Sequence, residues 1–193
     1  MKRLKVSWTI LSTWAKGDRD GAMKLLAGIE LPRTPAMIEG SRIHDIISQK
    51  KLKLIPEITD KAIFEDIQPD KHIWTNYFKV ELNDWLDLSM VIDVIDEPRI
   101  IDWKASTKRS TEHNKMQIYL YALGVEKATD KKITEGIFGT VKDYDGAIIC
   151  DDYSVFKINK AKKELALNYA ETIAGEIYSF INKEEVKEVA AAV

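Results

Sequence analysis

Val91-Ile92-Asp93-Val94-Ile95-Asp96-Glu97-Pro98-Arg99-Ile100-Ile101-Asp102-Trp103-Lys104 is the stretch that decides the fold. Val, Ile and Trp favour strands, and Asp96-Glu97-Pro98-Arg99 interrupts them as a tight turn does. With Glu97 and Pro98 as the two loop residues, Asp96 faces Arg99 and Asp93 falls directly opposite Asp102. Directly opposed residues have Cβ atoms about 4.5–5.5 Å apart. Lys104, two residues past Asp102, projects from the same face. Opposed carboxylates repel across a sheet, and a divalent cation between them turns that repulsion into a binding site.

Upstream, the strand pattern begins at Val80. Leu82, Leu86, Leu88, Met90, Ile92 and Val94 are apolar at even positions, which leaves Asp87, Ser89 and Asp93 on the other face. Ile73 to Phe78 begins a strand before it, and Lys61 to Ile67 reads as helical. Nearer the start, Trp8, Leu11 and Trp14 have helical spacing. Lys16-Gly17-Asp18 breaks that pattern, and Leu25-Leu26 precede a stop at Gly28, so residues 7–28 read as one or two short helices. Thr34-Pro35 starts a further helix with Thr34 as its cap. Gly40 and His44 share a face of it, and a glycine inside a helix costs about 1 kcal/mol relative to alanine. Close approach of another backbone, from a strand or a nucleic acid, accounts for such a glycine.

Downstream, Ala105 to Ser110 is a polar, basic loop. Ser110 or Thr111 caps a helix that stops near Gly124, with His113, Gln117 and Tyr121 spaced by four on one face. Strands follow at 137–141, 147–150 and 153–158, with turns at Asp143–Gly146 and Asp151-Asp152. Asn159 caps a long amphipathic helix whose charged end, Lys183 to Lys187, is expected to fray. This order predicts one α/β domain over residues 1–193, a mixed central sheet flanked by helices. Its core motifs span 34–125, and its C-terminal strands and long helix span 133–188.

The 193 residues are 45% hydrophobic, enough for a sizeable core. The net charge of −2 means that a nucleic-acid site would have to be a local basic patch. Cys150 is the only cysteine, which excludes a disulfide framework and any four-cysteine cluster within one chain. A reducing, cytoplasmic setting is the expectation. No apolar run approaches about 18 residues, so no membrane span is expected. The basic start, Met1 to Lys5, is followed by Ser7, Thr9, Ser12 and Thr13 rather than an apolar signal core.

Taken in order, the chemistry-bearing pieces are Gly40-x-x-x-His44, Asp93, Asp102-x-Lys104 and Gln117-x-x-x-Tyr121. This set resembles the PD-(D/E)XK nuclease superfamily over roughly residues 7 to 125. It looks closest to the RecB-type branch of helicase-nuclease subunits, CRISPR-associated adaptation nucleases and viral relatives. Ile92-Asp93 replaces the Pro-Asp of the family name, and Met90 stands where many RecB-type members have glycine. Asp102 replaces Glu, while Trp103 and Ala105 replace the Tyr and Thr that often follow.

The resemblance implies a restriction-endonuclease-like core and a divalent-metal-dependent deoxyribonuclease. The enzyme would be an exonuclease on single-stranded or end-containing DNA, with endonuclease activity possible in principle, in repair or recombination. His44, Asp93, Asp102 and the Trp103 carbonyl would ligate Mg²⁺ or Mn²⁺, and no iron–sulfur cluster is expected. Asp93, Asp102, Lys104, Gln117 and Tyr121 would be catalytic. Lys104 would orient or deprotonate the attacking water, Gln117 would bond the nucleophile or Lys104, and Tyr121 would contact phosphate or hold Gln117. Gly40, Lys108, Arg109 and Lys115 would meet DNA. The expected partners are DNA and a helicase or recombination protein.

Competing readings are a non-catalytic DNA-binding or assembly module on the same fold, and a hydrolase of a small molecule. Asp102 and Lys104 alone could form only a same-strand ion pair, worth under about 1 kcal/mol. His72 and His113 read as structural or surface residues, and Cys150 as a small buried hydrophobe.

Overall fold

Alternation, turn chemistry and helix caps put most elements where the sequence predicts them. The computed structural model describes residues 3–48, 52–54, 73–105, 111–144 and 147–191. Along them run β1 (Leu4–Ser7), α1 (Trp8–Ala15), α2 (Arg19–Leu26), α3 (Pro35–Ser48), β2 (Leu52–Leu54) and β3 (Ile73–Glu81). Then come β4 (Leu86–Asp96), β5 (Arg99–Lys104), α4 (Glu112–Ala128), β6 (Glu135–Tyr144), β7 (Ala147–Lys157) and α5 (Lys160–Ala191). The caps are side-chain oxygens accepting backbone N–H groups: Thr34 from Met37 at 3.2 Å, Thr111 from Asn114 at 3.1 Å, Asn159 from Lys162 at 3.0 Å. Gly17 and Gly28 take positive φ, which lets the chain turn after α1 and α2 without Cβ strain.

The strands form one seven-stranded mixed sheet. In the β4–β5 hairpin, Asp96 pairs Arg99, Ile95 pairs Ile100 and Val94 pairs Ile101, the register that the two-residue loop dictates. β3 runs antiparallel along one whole edge of β4, from Ile73–Ile95 to Glu81–Asp87. Two strands share the other edge. β1 lies parallel to it from Leu86 to Ser89, and β5 joins it from Val94 to Asp96. Between them, no described strand pairs with Met90 to Asp93 on that edge. β5 then carries β6 in parallel, β6 carries β7 antiparallel, and β2 closes the sheet beside β7.

The even positions of β4 are the core, as expected: Leu86, Leu88, Met90 and Ile92 are at most 1% exposed. Complete burial of such side chains is worth about 1.5–3 kcal/mol each. They pack with Ile118, Leu120 and Val125 of α4, with Leu11 and Trp14 of α1, and with Ala170 and Ile177 of α5. Beyond Asp93 this core takes Ile95 and Ile100 rather than Val94.

Several expectations need correction. Leu82 lies in a turn, not a strand, because Asn83 Oδ1 accepts from the backbone N–H groups of Trp85 and Leu86 at 3.0 and 2.9 Å. α4 runs through Gly124 to Ala128 instead of stopping at the glycine. A Cβ at Gly124 would sit 2.5 Å from Met90 Sδ, so the glycine serves helix–sheet packing. β7 is one strand across Asp151-Asp152, since its pairing with β6 absorbs a shift between Thr140 and Val141. α5 runs from Lys160 to Ala191. β1 and β2 were not expected. The helix expected from Lys61 to Ile67 lies outside the described residues.

Candidate active site

The site forms where β4 and β5 part. Their ladder ends at Val94–Ile101, one step short of Asp93 and Asp102. These two residues therefore flank the end of the pairing and do not form a ladder pair. Asp93 spans the opening with its side chain. Trp103 donates its backbone N–H to Asp93 Oδ2 at 2.8 Å. The other carboxylate oxygen, Oδ1, lies 3.1 Å from His44 Nδ1 on α3. α3 is held over the sheet by buried Ile43 and by Arg42, which reaches Asp143 of β6 at 2.6 Å. Sequence reasoning missed the Trp103 amide, and only the point at which the ladder stops could have signalled it.

Asp102 is buried on β5, with Lys104 Nζ 2.7 Å from its Oδ2. That oxygen is buried, and the Lys104 ammonium is the partner it has among the described residues. Burial pushes the Asp102 carboxyl up to about 6; Lys104 opposes the rise and Asp93 adds to it. His44 is held above the ordinary histidine value by its hydrogen bond to Asp93, against burial, which lowers it. On α4, Gln117 Nε2 donates to the Tyr121 hydroxyl at 3.1 Å. Burial raises the Tyr121 phenol, and Asp102 and Asp93 raise it further, so α4 lies within electrostatic reach of the carboxylates.

His44, Asp93, Asp102, Lys104, Gln117 and Tyr121 are thus gathered on α3, β4, β5 and α4. The other expected residues are less closely tied to the site. Gly40 is open, with no atom within 4 Å of a Cβ built on it. No neighbouring strand therefore explains the glycine. Lys115 is engaged on its own helix by Glu112 at 2.7 Å. Lys108, Arg109 and His72 lie outside the described residues. His113 packs against Trp8, with ring centroids 4.9 Å apart and the planes tilted by 46°.

The donor set fits a hard divalent cation: two carboxylates, one of them buried, and one imidazole. Among the described residues, however, no three His, Cys, Asp or Glu side chains converge on one point. Lys104 and His44 each engage one of the two carboxylates.

No family model matches the chain, and no curated protein matches it in sequence. Solved structures do match it. LHK-Exo in complex with dAMP superposes with a TM-score of 0.61 at 12% identity, covering 97% of this chain and 94% of that one. The alkaline exonuclease LHK-Exo from Laribacter hongkongensis gives 0.56 at 13%, covering 98% and 95%. A putative exonuclease from Eubacterium rectale gives 0.60 at 16%, covering 94% and 82%. The chain shares the fold of these structures. Within that fold, the fork between β4 and β5 holds the acidic residues, with His44 of α3 on Asp93. Among the described residues, no helix is long and apolar enough to cross a membrane.

Proposed function

We propose that the chain is a divalent-metal-dependent deoxyribonuclease that hydrolyses phosphodiester bonds, acting as an exonuclease on single-stranded or end-containing DNA. The observation that carries this reading is the fork itself. It sets Asp93, Asp102, Lys104 and His44 beside one another, with the buried Asp102 carboxylate on Lys104 and Asp93 on His44. The two carboxylates repel, and burial adds to the cost of the Asp102 charge, so a cation between them is favoured.

Asp93, Asp102 and His44 would hold Mg²⁺ or Mn²⁺, with the Trp103 carbonyl as a further donor. When bound, the cation supplies Lewis-acid chemistry at the scissile phosphate. Lys104, released from Asp102, offsets phosphate charge and orients the attacking water. Water oxygen bonds to phosphorus and gives up a proton, the phosphorus–oxygen bond to the leaving sugar breaks, and the leaving oxygen takes up a proton, so that one water is consumed for each bond cut. Tyr121 keeps its proton because burial raises its phenol. It accepts from Gln117 and so has its own hydroxyl hydrogen free to donate to a phosphate oxygen. Gly40, with open space above it, lets a phosphate backbone approach α3. Lys108, Arg109 and Lys115 supply the local basic patch, and the setting is intracellular, with a helicase or recombination protein as partner.

The test uses linear single-stranded, linear duplex and circular DNA with Mn²⁺ or Mg²⁺. Cleavage is expected on linear substrates, with nucleotide products released from ends. It should vanish in EDTA and in Asp102→Ala and Lys104→Ala. Cleavage that survives chelation or either substitution places the chemistry elsewhere. Tight DNA binding with no metal-dependent turnover would favour the non-catalytic module.

A further inference from the structure

We propose that the open face of the β1–β4–β3 part of the sheet is a stacking platform for single-stranded nucleic acid. The proposal rests on the nuclease reading and names how the substrate strand is held. The even positions of β4 are buried, so its odd positions look outward. Val91 is 53% exposed and its cross-strand partner Tyr77 is 68% exposed. A tyrosine and a valine so exposed on adjacent strands form a platform that the protein's own core leaves uncovered.

The rungs of this face lead to the proposed site. Lys5 and Glu81 flank Asp87, Ser7 and Lys79 flank Ser89, Tyr77 faces Val91, and Asp93 comes next along β4. Residues two apart on a strand are about 7 Å apart, so Val91 is the immediate neighbour of Asp93 on this path. The charges favour a polyanion. Arg3 engages both acids of the face, Asp87 at 2.7 Å and Glu81 at 3.4 Å. Lys5 and Lys79 are exposed and make no ion pair among the described residues. The Tyr77 hydroxyl donates to Ser89 Oγ at 3.3 Å, which holds the ring over the sheet. An oriented ring with two lysines on the rungs leading up to it, and the site beyond it, is the chemistry of sequence-tolerant single-strand binding: bases stack and cations track the backbone. A duplex keeps its bases stacked on each other and gains little from such a face.

The test measures fluorescence anisotropy of a labelled oligothymidylate of about 20 nucleotides in EDTA, so that binding is read without cleavage. Tyr77→Ala is expected to weaken binding roughly tenfold, and Tyr77→Phe to restore most of it, since stacking needs the ring and not the hydroxyl. Lys79→Ala should lower the salt slope by about 0.7, the value for one single-strand phosphate contact. A matched duplex should bind Tyr77→Ala and the parent equally. Oligothymidylate affinity unaltered by Tyr77→Ala overturns the platform while leaving the nuclease reading intact. Loss of cleavage on every substrate in the parent protein overturns that reading separately. Equal weakening on single strands and duplex, or a fall in thermal stability of Tyr77→Ala, points to a structural role and also overturns the proposal.

Discussion

Burial lifts the Asp102 carboxyl from the ordinary 3.8 to about 6, so at neutral pH the folded protein carries a charge that its surroundings oppose. Because the folded value exceeds the unfolded one, folding binds this proton more tightly. The penalty is absent below about 3.8, grows as pH rises, and is complete above about 6. Asp102→Asn removes it. The variant should therefore gain about 1–3 kcal/mol at pH 7, less what Lys104 loses, and the gain should fade towards pH 3.8 in urea titrations. A variant less stable than the parent at pH 7 would contradict this account. The same substitution should abolish metal-dependent cleavage, so stability and activity move in opposite directions. At this scale the sequence was informative about identity and weaker about contact. Asp93, Asp102 and Lys104 follow from alternation around one turn. His44 needs tertiary structure to reach Asp93, and the Trp103 amide on Asp93 leaves no trace in residue type.

Elements were legible where the signal is local. The hairpin register, the capped starts of α3, α4 and α5, and the break at Gly17 all follow from a few neighbouring residues. Glycine was the commonest source of error, because its meaning depends on what stands opposite. At Gly124 the neighbour is the far end of Met90, which can swing aside. At Gly139 a Cβ would sit 2.3 Å from the Trp103 ring, a rigid group on the strand that carries Asp102. Gly139→Ala should therefore cost about 1–3 kcal/mol, whereas Gly124→Ala should be close to neutral, since helix propensity repays the repacking. Chemical denaturation of the two variants side by side checks this, and equal losses would refute it. Asp151-Asp152 misled for a related reason. Aspartates disfavour strands locally, but long pairing with β6 overrides the preference.

On the scale of the whole molecule, the unread parts are those held from afar. β1 is four residues long and pairs with β4 some eighty positions later, so nothing near Leu4–Ser7 announces a strand. A further long-range tie joins α4 to α5. Lys163 Nζ lies 2.7 Å from Glu126 Oε1, which also accepts the Ile133 N–H at 2.9 Å. Glu126→Ala strands both donors and should cost about 2 kcal/mol, while Lys163→Met, which keeps the volume and removes the charge, should cost less. Thermal melts of the two single variants and the double variant check the coupling. The shared edge of β4 has a mechanical consequence. Two leaves, β3–β4–β1 and β5–β6–β7–β2, meet along one spine, and among the described residues three ladder pairs from Val94 to Asp96 and the Trp103 N–H on Asp93 clasp their strands together. The last clasp is a side chain of the proposed site, so a change at Asp93 acts on the seam of the sheet as well as on the chemistry.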